Sequence, residues 1–142
     1  NYAVEFVRNG ISALTRVVGR SRGVELGVSA ARLIGLQQYV HLARTIEAHD
    51  GDVHDAARFL AAMFEGMGDI ASVARVTASD TATVRHEGLR VVRNLEGNER
   101  SDLLTCWIEI WKGAIASHRA FMDVNVELED SENVLVWLLR TK

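Results

Sequence analysis

The single cysteine of this sequence, Cys106, is the first candidate for chemistry. In a helix, Glu109 lies one turn beyond it and Gly113 two turns beyond, so the three residues share a face. That spacing suits a pocket thiol beside a carboxylate, with Gly113 leaving room for a ligand. A nucleophilic thiol needs a lowered pKa, however, and a nearby carboxylate raises it. Cys106 is therefore interpreted either as part of a catalytic set or as a small buried hydrophobic residue.

Two histidines are further candidates. His86 faces the apolar side of an alternating segment, where an imidazole needs a hydrogen-bond partner or a function. It is the predicted general base, and a structural histidine is the alternative. His118 ends a predicted helix, where a cation is favoured by the helix dipole. A C-terminal cap and a ligand contact are both open for it.

All three tryptophans of the chain lie in its last 40 residues. Trp107 and Trp111 are one turn apart on the predicted helix of Cys106, and Trp137 lies in the last predicted strand. Aromatic residues at helical spacing are typical of a core, but pockets for organic ligands are lined in the same way. The three tryptophans are thus predicted either to fill the core or to contact a substrate.

Several chemistries are excluded or disfavoured by what the sequence lacks. It contains no GxxxxGK[ST], GxGxxG, GxSxG, HExxH or CxxC motif, so P-loop, dinucleotide-fold, α/β-hydrolase and zincin classes are excluded. The acidic and histidine-containing run from His49 to Asp55 lacks the spacing of a calcium loop or a zinc site. We predict no metal site and no cofactor.

Composition places the chain among ordinary globular proteins. It has 142 residues, 48% of them hydrophobic and 25% charged, and a net charge of -3. The absence of a basic surplus disfavours nucleic-acid binding. Apolar runs are too short for a membrane span. A single cysteine fits a reducing compartment, and the predicted location is cytoplasmic.

The first half of the sequence has helical periodicity. Apolar residues at steps of three and four from Val4 to Val18 predict one helix, and residues 19–27, with three glycines, are expected to interrupt it. A second helix is predicted over about 29–48. A third is capped by Asp52 and ends near Gly68. The apolar stripe expected on the second helix comprises Leu33, Leu36, Val40, Ala43 and Ile46.

The second half alternates with period two. Residues 72–77 and 82–87 predict a hairpin, and Val124 to Leu139 predict two more strands joined by an acidic turn. Residues 94–100 are interpreted as a loop, after which Ser101 caps a Trp-rich helix to His118. One single α+β domain is therefore expected over residues 1–142, with a helical part at 1–68 and the sheet at 69–142. Its predicted fold is a four-stranded antiparallel sheet covered by helices on one face. The expected inner face of the first hairpin comprises Ala74, Val76, Ala82, Val84 and His86.

The last strand predicts a homo-oligomer. Val134, Val136 and Leu138 alternate with Leu135, Trp137 and Leu139, so both faces of this strand are apolar. One layer of helices covers only one face of a sheet. We therefore expect the other face to meet a second copy, most simply in a dimer.

The helix SDLLTCWIEIWKGA followed by MDVNVELEDSENVLVWLLRT resembles the C-terminal half of two related groups. These are the 4-vinyl reductase-type small-molecule-binding domains and the L-2-amino-thiazoline-4-carboxylate hydrolase-like proteins. The preceding DAARFLAAMFEGMGDIASVARV is similar to their lead-in helix and strand. Those families carry additional cysteines near the last turn, where this chain has Glu132 and Asn133, so no thiol or metal mechanism is transferred. The resemblance implies a pocket between helix and sheet for a small organic molecule.

The predicted function is binding of a small organic molecule between the 101–118 helix and the sheet. Its catalytic form is hydrolysis of a C–N bond in a small ring, with His86 as base, Glu109 as acid or orienting carboxylate and Cys106 in the wall. The alternative is a non-catalytic ligand sensor or protein-interaction domain. Convergence of His86 and Glu109 on one point favours the enzyme. The predicted substrate contacts are Trp107, Trp111, Trp137, Gly113 and His118.

Overall fold

The computed structural model describes residues 2–45, 53–74, 80–116, 124–131 and 133–141. These residues form an α+β fold in which helices pack against a four-stranded antiparallel sheet, as the sequence predicts. The helical elements are α1 (Tyr2–Glu5), a π-helical segment (Phe6–Ile11), α2 (Ser12–Val18), α3 (Arg20–Thr45), α4 (Val53–Gly66), a 3₁₀ turn (Arg90–Val92) and α5 (Gly97–Ala116).

The strands are β1 (Ile70–Ala74), β2 (Thr81–Glu87), β3 (Val124–Ser131) and β4 (Val134–Thr141), in the order β1-β2-β4-β3. β4 is a central strand between β2 and β3, which agrees with its apolar residues on both faces. Leu135, Trp137 and Leu139 are buried on the inner face, whereas Val134, Val136 and Leu138 on the outer face are half-buried.

The predicted face of β1 is wrong. Residues directly opposite each other in an antiparallel pair point to the same side of the sheet. Ala74 pairs with Thr83, so it lies on the outer face, and Val73, which pairs with Val84, lies on the inner one. Val76 lies outside the described residues. β2, by contrast, buries Ala82, Val84 and His86 as predicted.

The N-terminal helix is continuous through residue 18, but one stretch of it has π geometry. The i→i+5 hydrogen bonds of Phe6–Ile11 add one residue to a turn and shift the buried face. Val7 and Ile11 are buried as a result, while Val17 and Val18 beyond them are exposed. Such π segments are often found at functional sites.

The predicted interruption at residues 19–27 is wrong except at Gly19, the one residue between α2 and α3. The other glycines permit close approach of backbones, which a Cβ would prevent. A Cβ at Gly27 would lie 2.9 Å from Cys106 Sγ, and one at Gly35 would overlap the Ile110 carbonyl oxygen. Of the predicted stripe of large residues, Leu33 is wrong, because it is 61% exposed, and Leu36 is half-buried. The side chains of Val40 and Ala43, and Ile46, lie outside the described part of the chain. The buried face of α3 instead comprises Gly23, Gly27, Ala31 and Gly35.

Helices α4 and α5 close the core against the inner face of the sheet. Phe59, Leu60 and Phe64 of α4 are buried, and Gly68 follows the helix with a positive φ of 90°, as expected for a C-terminal stop. α5 begins at Gly97, four residues before the predicted Ser101 cap, so most of the predicted loop at 94–100 is helical.

Candidate functional site

His86 lies in a closed buried network. Its Nε2 is 2.7 Å from Asp69 Oδ2, and Nε1 of Trp137 donates to its Nδ1 over 3.4 Å. Since an indole nitrogen only donates, Nδ1 is the acceptor and Nε2 carries the hydrogen toward Asp69. The other oxygen of Asp69 accepts from the backbone N–H of Arg90 at 3.2 Å. The imidazole is therefore fully partnered, as the structural alternative requires.

The ring of Phe64 covers one face of His86. The two rings are stacked, with centroids 3.8 Å apart and planes 6° apart. Phe64 also meets Trp111 and Trp137, each with a centroid distance of 5.4 Å. His86 is 0% exposed. Neither its edge nor this face is open to a substrate in the described structure.

All three tryptophans are buried in the core, and Phe64 contacts both Trp111 and Trp137. Trp107 and Trp111 meet edge to face at 5.4 Å. Among the described residues, Nε1 of each of these two indoles has no hydrogen-bond partner. Buried donors are normally paired, so two adjacent unpaired ones require an explanation. The side chains of Trp107 and Trp111 are thus part of the core. A bound molecule with a hydrogen-bond acceptor would give their two Nε1 donors a partner.

Cys106 and Glu109 lie on the opposite side of α5. Glu109 and Trp111 are two residues apart, which is about 200° around a helix. Glu109 accepts from Arg32 of α3 at 2.6 Å and lies 3.8 Å from Lys112. Cys106 is buried against Gly27 of α3. Burial, with smaller contributions from Asp102 and Glu109, raises the pKa of the Cys106 thiol to about 11, so it is a weak nucleophile near neutral pH.

Gly113 does not leave room for a ligand, which corrects the sequence interpretation. A Cβ there would overlap the Arg32 carbonyl oxygen and lie 3.1 Å from the Arg32 Cα. Its missing side chain thus serves the close crossing of α3 and α5. His118 lies outside the described residues.

The predicted site therefore divides into two groups. His86 and Trp137 lie on the inner face of the sheet and Trp111 meets them through Phe64 of α4. Cys106, Glu109 and Gly113 instead face α3. The predicted pocket between the 101–118 helix and the sheet stays a prediction, because residues 117–123 and the side chains of residues 124–127 lie outside the described part of the chain. A cleft of about 610 Å³ lies elsewhere, between the N-terminal helices and the first turns of α5.

One wall of this cleft comes from the π segment and α2, and the other from α5 and the residues just before it. The N-terminal wall contributes Arg8, Asn9, Ile11, Ser12, Thr15 and Arg16, and Arg20 begins α3 beside it. The opposite wall contributes Leu95, Asn98, Glu99, Asp102 and Leu103. Sequence reasoning missed all of these residues. The available signal was Arg8, Ser12 and Arg16, which share a helix face at a spacing of four.

The charges in the cleft are only partly paired. Arg20 donates to both oxygens of Asp102, at 2.6 and 2.9 Å, a bidentate pair. This hydrogen bonding raises the pKa of the Arg20 guanidinium. Arg16 donates from Nε to the Ser12 carbonyl oxygen at 3.3 Å. Within the described part of the chain, no carboxylate lies within ion-pair distance of Arg16.

Arg8 is held by the 3₁₀ turn. Its Nη1 donates to the carbonyl oxygens of Arg90, Val91 and Arg93 at 3.3, 3.0 and 3.1 Å. These bonds satisfy carbonyl groups at the end of the turn and fix the guanidinium at the cleft wall. A second cavity of about 270 Å³ shares Arg8 and is lined by Arg90 and Arg93 as well.

Comparison with known proteins assigns no family. No protein-family model matches the chain, and no significant match was found among curated proteins. Two further findings concern the described residues only. They contain no helix with the length and apolar character needed to cross a bilayer, and no group of three or more His, Cys, Asp or Glu side chains arranged to hold a metal ion.

Proposed function

We propose that this chain is a small-molecule-binding domain whose ligand occupies the cleft between the N-terminal helices and α5. The observation that carries the proposal is the cleft itself. Its volume of about 610 Å³ falls within the range of about 300–1,000 Å³ typical of ligand pockets. Its lining combines three apolar residues, Ile11, Leu95 and Leu103, with nine polar or charged ones, so a ligand would find both apolar surface and hydrogen-bonding groups.

Binding without catalysis is the form that the geometry favours. Acid–base catalysis requires titratable groups that converge on one reacting atom. His86 and Glu109, the predicted base and acid, are separated by α5 and each is already partnered. Within the cleft, Asp102 is engaged by Arg20, and Glu99 is the other carboxylate in the lining. The sensor alternative of the sequence analysis is therefore preferred to the hydrolase.

Plugging the cleft tests this proposal. A thermal-shift screen with small ring-containing acids, amides and aromatics supplies ligands, since a ligand at a hundredfold excess over Kd stabilises by about 2.7 kcal/mol. Ser12→Trp places an indole in the cleft from one wall, and Asn98→Trp does so from the other. Ala13→Trp is the matched control, because Ala13 is exposed and is not among the residues that line the cleft.

We expect the stabilisation by each ligand to disappear in both plugged variants and to persist in Ala13→Trp. Two plugs from opposite walls protect the test against one variant that folds poorly. Equal stabilisation of plugged and unplugged proteins, or a screen without any stabilising compound at millimolar concentration, would overturn the proposal.

Hydrolysis in the aromatic core is the second candidate. The observation in its favour is the pair of indole donors on Trp107 and Trp111 without acceptors, next to an Asp69–His86 pair of the kind that orients a base. The chain should then hydrolyse small cyclic amides, and His86→Gln should lower turnover about 100-fold or more. Unchanged turnover in a folded His86→Gln protein, or no turnover by the unmodified chain, leaves His86 structural.

A further inference from the structure

The cleft has a charge imbalance that specifies a class of ligand. Three arginines, Arg8, Arg16 and Arg20, line it together with two carboxylates, Glu99 and Asp102. Arg20 and Asp102 neutralise each other through two hydrogen bonds. Arg8 and Arg16 then face Glu99 alone, which leaves one positive charge in excess.

The two remaining arginines differ in mobility and in role. Arg8 is fixed by three carbonyl oxygens, so its charge is positioned before any ligand arrives. Arg16 has one hydrogen bond, from Nε, and its side chain is exposed. Its terminal nitrogens are therefore the donors that can turn toward a ligand, and a guanidinium recognises an oxyanion with two parallel hydrogen bonds.

The wall formed by α5 also favours an anionic ligand. Asn98 and Glu99 lie in the first turn of α5, a helix of 20 residues. The N-terminus of a helix carries a partial positive charge and favours anions. Ile11, Leu95 and Leu103 supply apolar surface in the same cleft. A ligand with one negative charge and an apolar body would satisfy both parts of the lining.

We propose that the cleft binds a small amphipathic organic acid, a monoanion whose head group pairs with Arg16 and whose apolar body contacts Ile11 and Leu103. This inference rests on the proposed function, because it assumes that the cleft is the binding site. Glu99 opposes the anion and limits its affinity. One excess positive charge favours a carboxylate over a doubly charged phosphate monoester.

Matched acids and amides test the head group. We would titrate the protein by calorimetry with phenylacetate, indole-3-acetate and octanoate, each against its neutral primary amide, and with phenyl phosphate. Amide resonances of Asn98 and Glu99 locate binding in the cleft. The indole N–H resonances of the three tryptophans report instead on binding in the core, where all three lie.

We expect each acid to bind at least about 10-fold more tightly than its amide, because one charge-assisted hydrogen bond is worth roughly that factor or more. Arg16→Gln should weaken the acid about 10- to 100-fold and leave the amide unchanged. Glu99→Gln should strengthen the acid, since a repulsive charge is removed. Arg22→Gln is the control, because Arg22 is also exposed but pairs with Glu25 outside the cleft.

The two proposals fail in different ways. Three results would overturn the ligand class and keep the cleft as the site. They are amides that bind in the cleft as tightly as the acids, phenyl phosphate that binds more tightly than phenylacetate, and an Arg16→Gln variant with unchanged affinity for the acids. Acids and amides that all leave the Asn98 and Glu99 resonances in place would overturn both proposals.

Discussion

Gly35→Ala is the substitution whose outcome the structure determines most directly. A Cβ at residue 35 would overlap the Ile110 carbonyl oxygen and lie 2.8 Å from the Ala114 nitrogen, closer than the 3.0 Å that real Cβ atoms respect. Both atoms are backbone, so neither can turn aside as a side chain does. Helices α3 and α5 must therefore move apart where they cross. The close contact between Gly113 and Arg32 is lost when they do.

The magnitude follows from two opposing effects. Overpacking of a core costs about 1–3 kcal/mol and sometimes more, and a rigid backbone clash belongs at the upper end. Alanine is better than glycine in a helix by about 1 kcal/mol, which offsets part of the loss. We expect a net loss of about 2 kcal/mol or more from a total that is typically about 5–15 kcal/mol.

Urea unfolding followed by tryptophan fluorescence and circular dichroism measures this loss, which corresponds to a fall of the midpoint by roughly 1–2 M. Gly66→Ala is the matched control, since Gly66 ends α4 with no atom within 4 Å of an added Cβ. It should be neutral or stabilising by up to about 1 kcal/mol. A Gly35→Ala protein as stable as Gly66→Ala would refute the close crossing of α3 and α5.

Three further predictions follow from burial. Trp111→Ala should lower the free energy of unfolding by about 3–5 kcal/mol, because its side chain is 1% exposed; a loss under about 1 kcal/mol in denaturation would mean an exposed indole. The Cys106 thiol, with its pKa raised from 9.0 to about 11, stays protonated in the folded state while an unfolded thiol ionises. Stability should therefore fall as the pH rises from about 9 to 11, and Cys106→Ala should reduce this fall; parallel pH profiles would contradict the assignment. The half-buried outer face of Val134, Val136 and Leu138 predicts a dimer in light scattering at micromolar concentration, which Val136→Lys should dissociate; a monomeric unmodified chain refutes it.

The strands were predictable because a sheet imposes a strict period of two. β2 and β4 start and end within about two residues of expectation, and His86 faces inward as the alternation predicts. The face of β1 was not predictable in the same way. Alternation fixes which residues share a face within a strand, whereas the pairing of Ala74 with Thr83 sets which face is inner.

The helices show where residue type is ambiguous. Glycine ends helices, but it also permits close packing between them, and the sequence does not distinguish the two uses. The three glycines of residues 19–27 predict a break, and the large apolar residues of the second helix predict its buried stripe. Leu33 is exposed because the packing face is formed by Gly27 and Gly35.

The division of the candidate site was readable from helical geometry. Cys106, Glu109 and Gly113 are separated by three, four and seven positions, so they share one face of α5. Trp107 and Trp111 share another face of α5, about 100° or more around the helix from the first. Residues on two different faces of α5 point in different directions. They could form one site only if a single deep cavity reached both faces. The cleft depends instead on how α2, α3 and α5 cross, which periodicity does not encode.

The same small residues that bring the helices together also set the walls of the cleft. A Cβ at Gly23 would lie 2.7 Å from the Cγ2 of Thr15, and one at Gly27 would lie 2.6 Å from the Cδ1 of Ile11. Thr15 and Ile11 both line the cleft. On the other side, Gly27 also meets Cys106, one turn beyond the cleft residue Asp102. The cleft thus owes its width to α3, a helix that contributes only Arg20 to its lining, because the glycines of α3 fix the distance between the two walls.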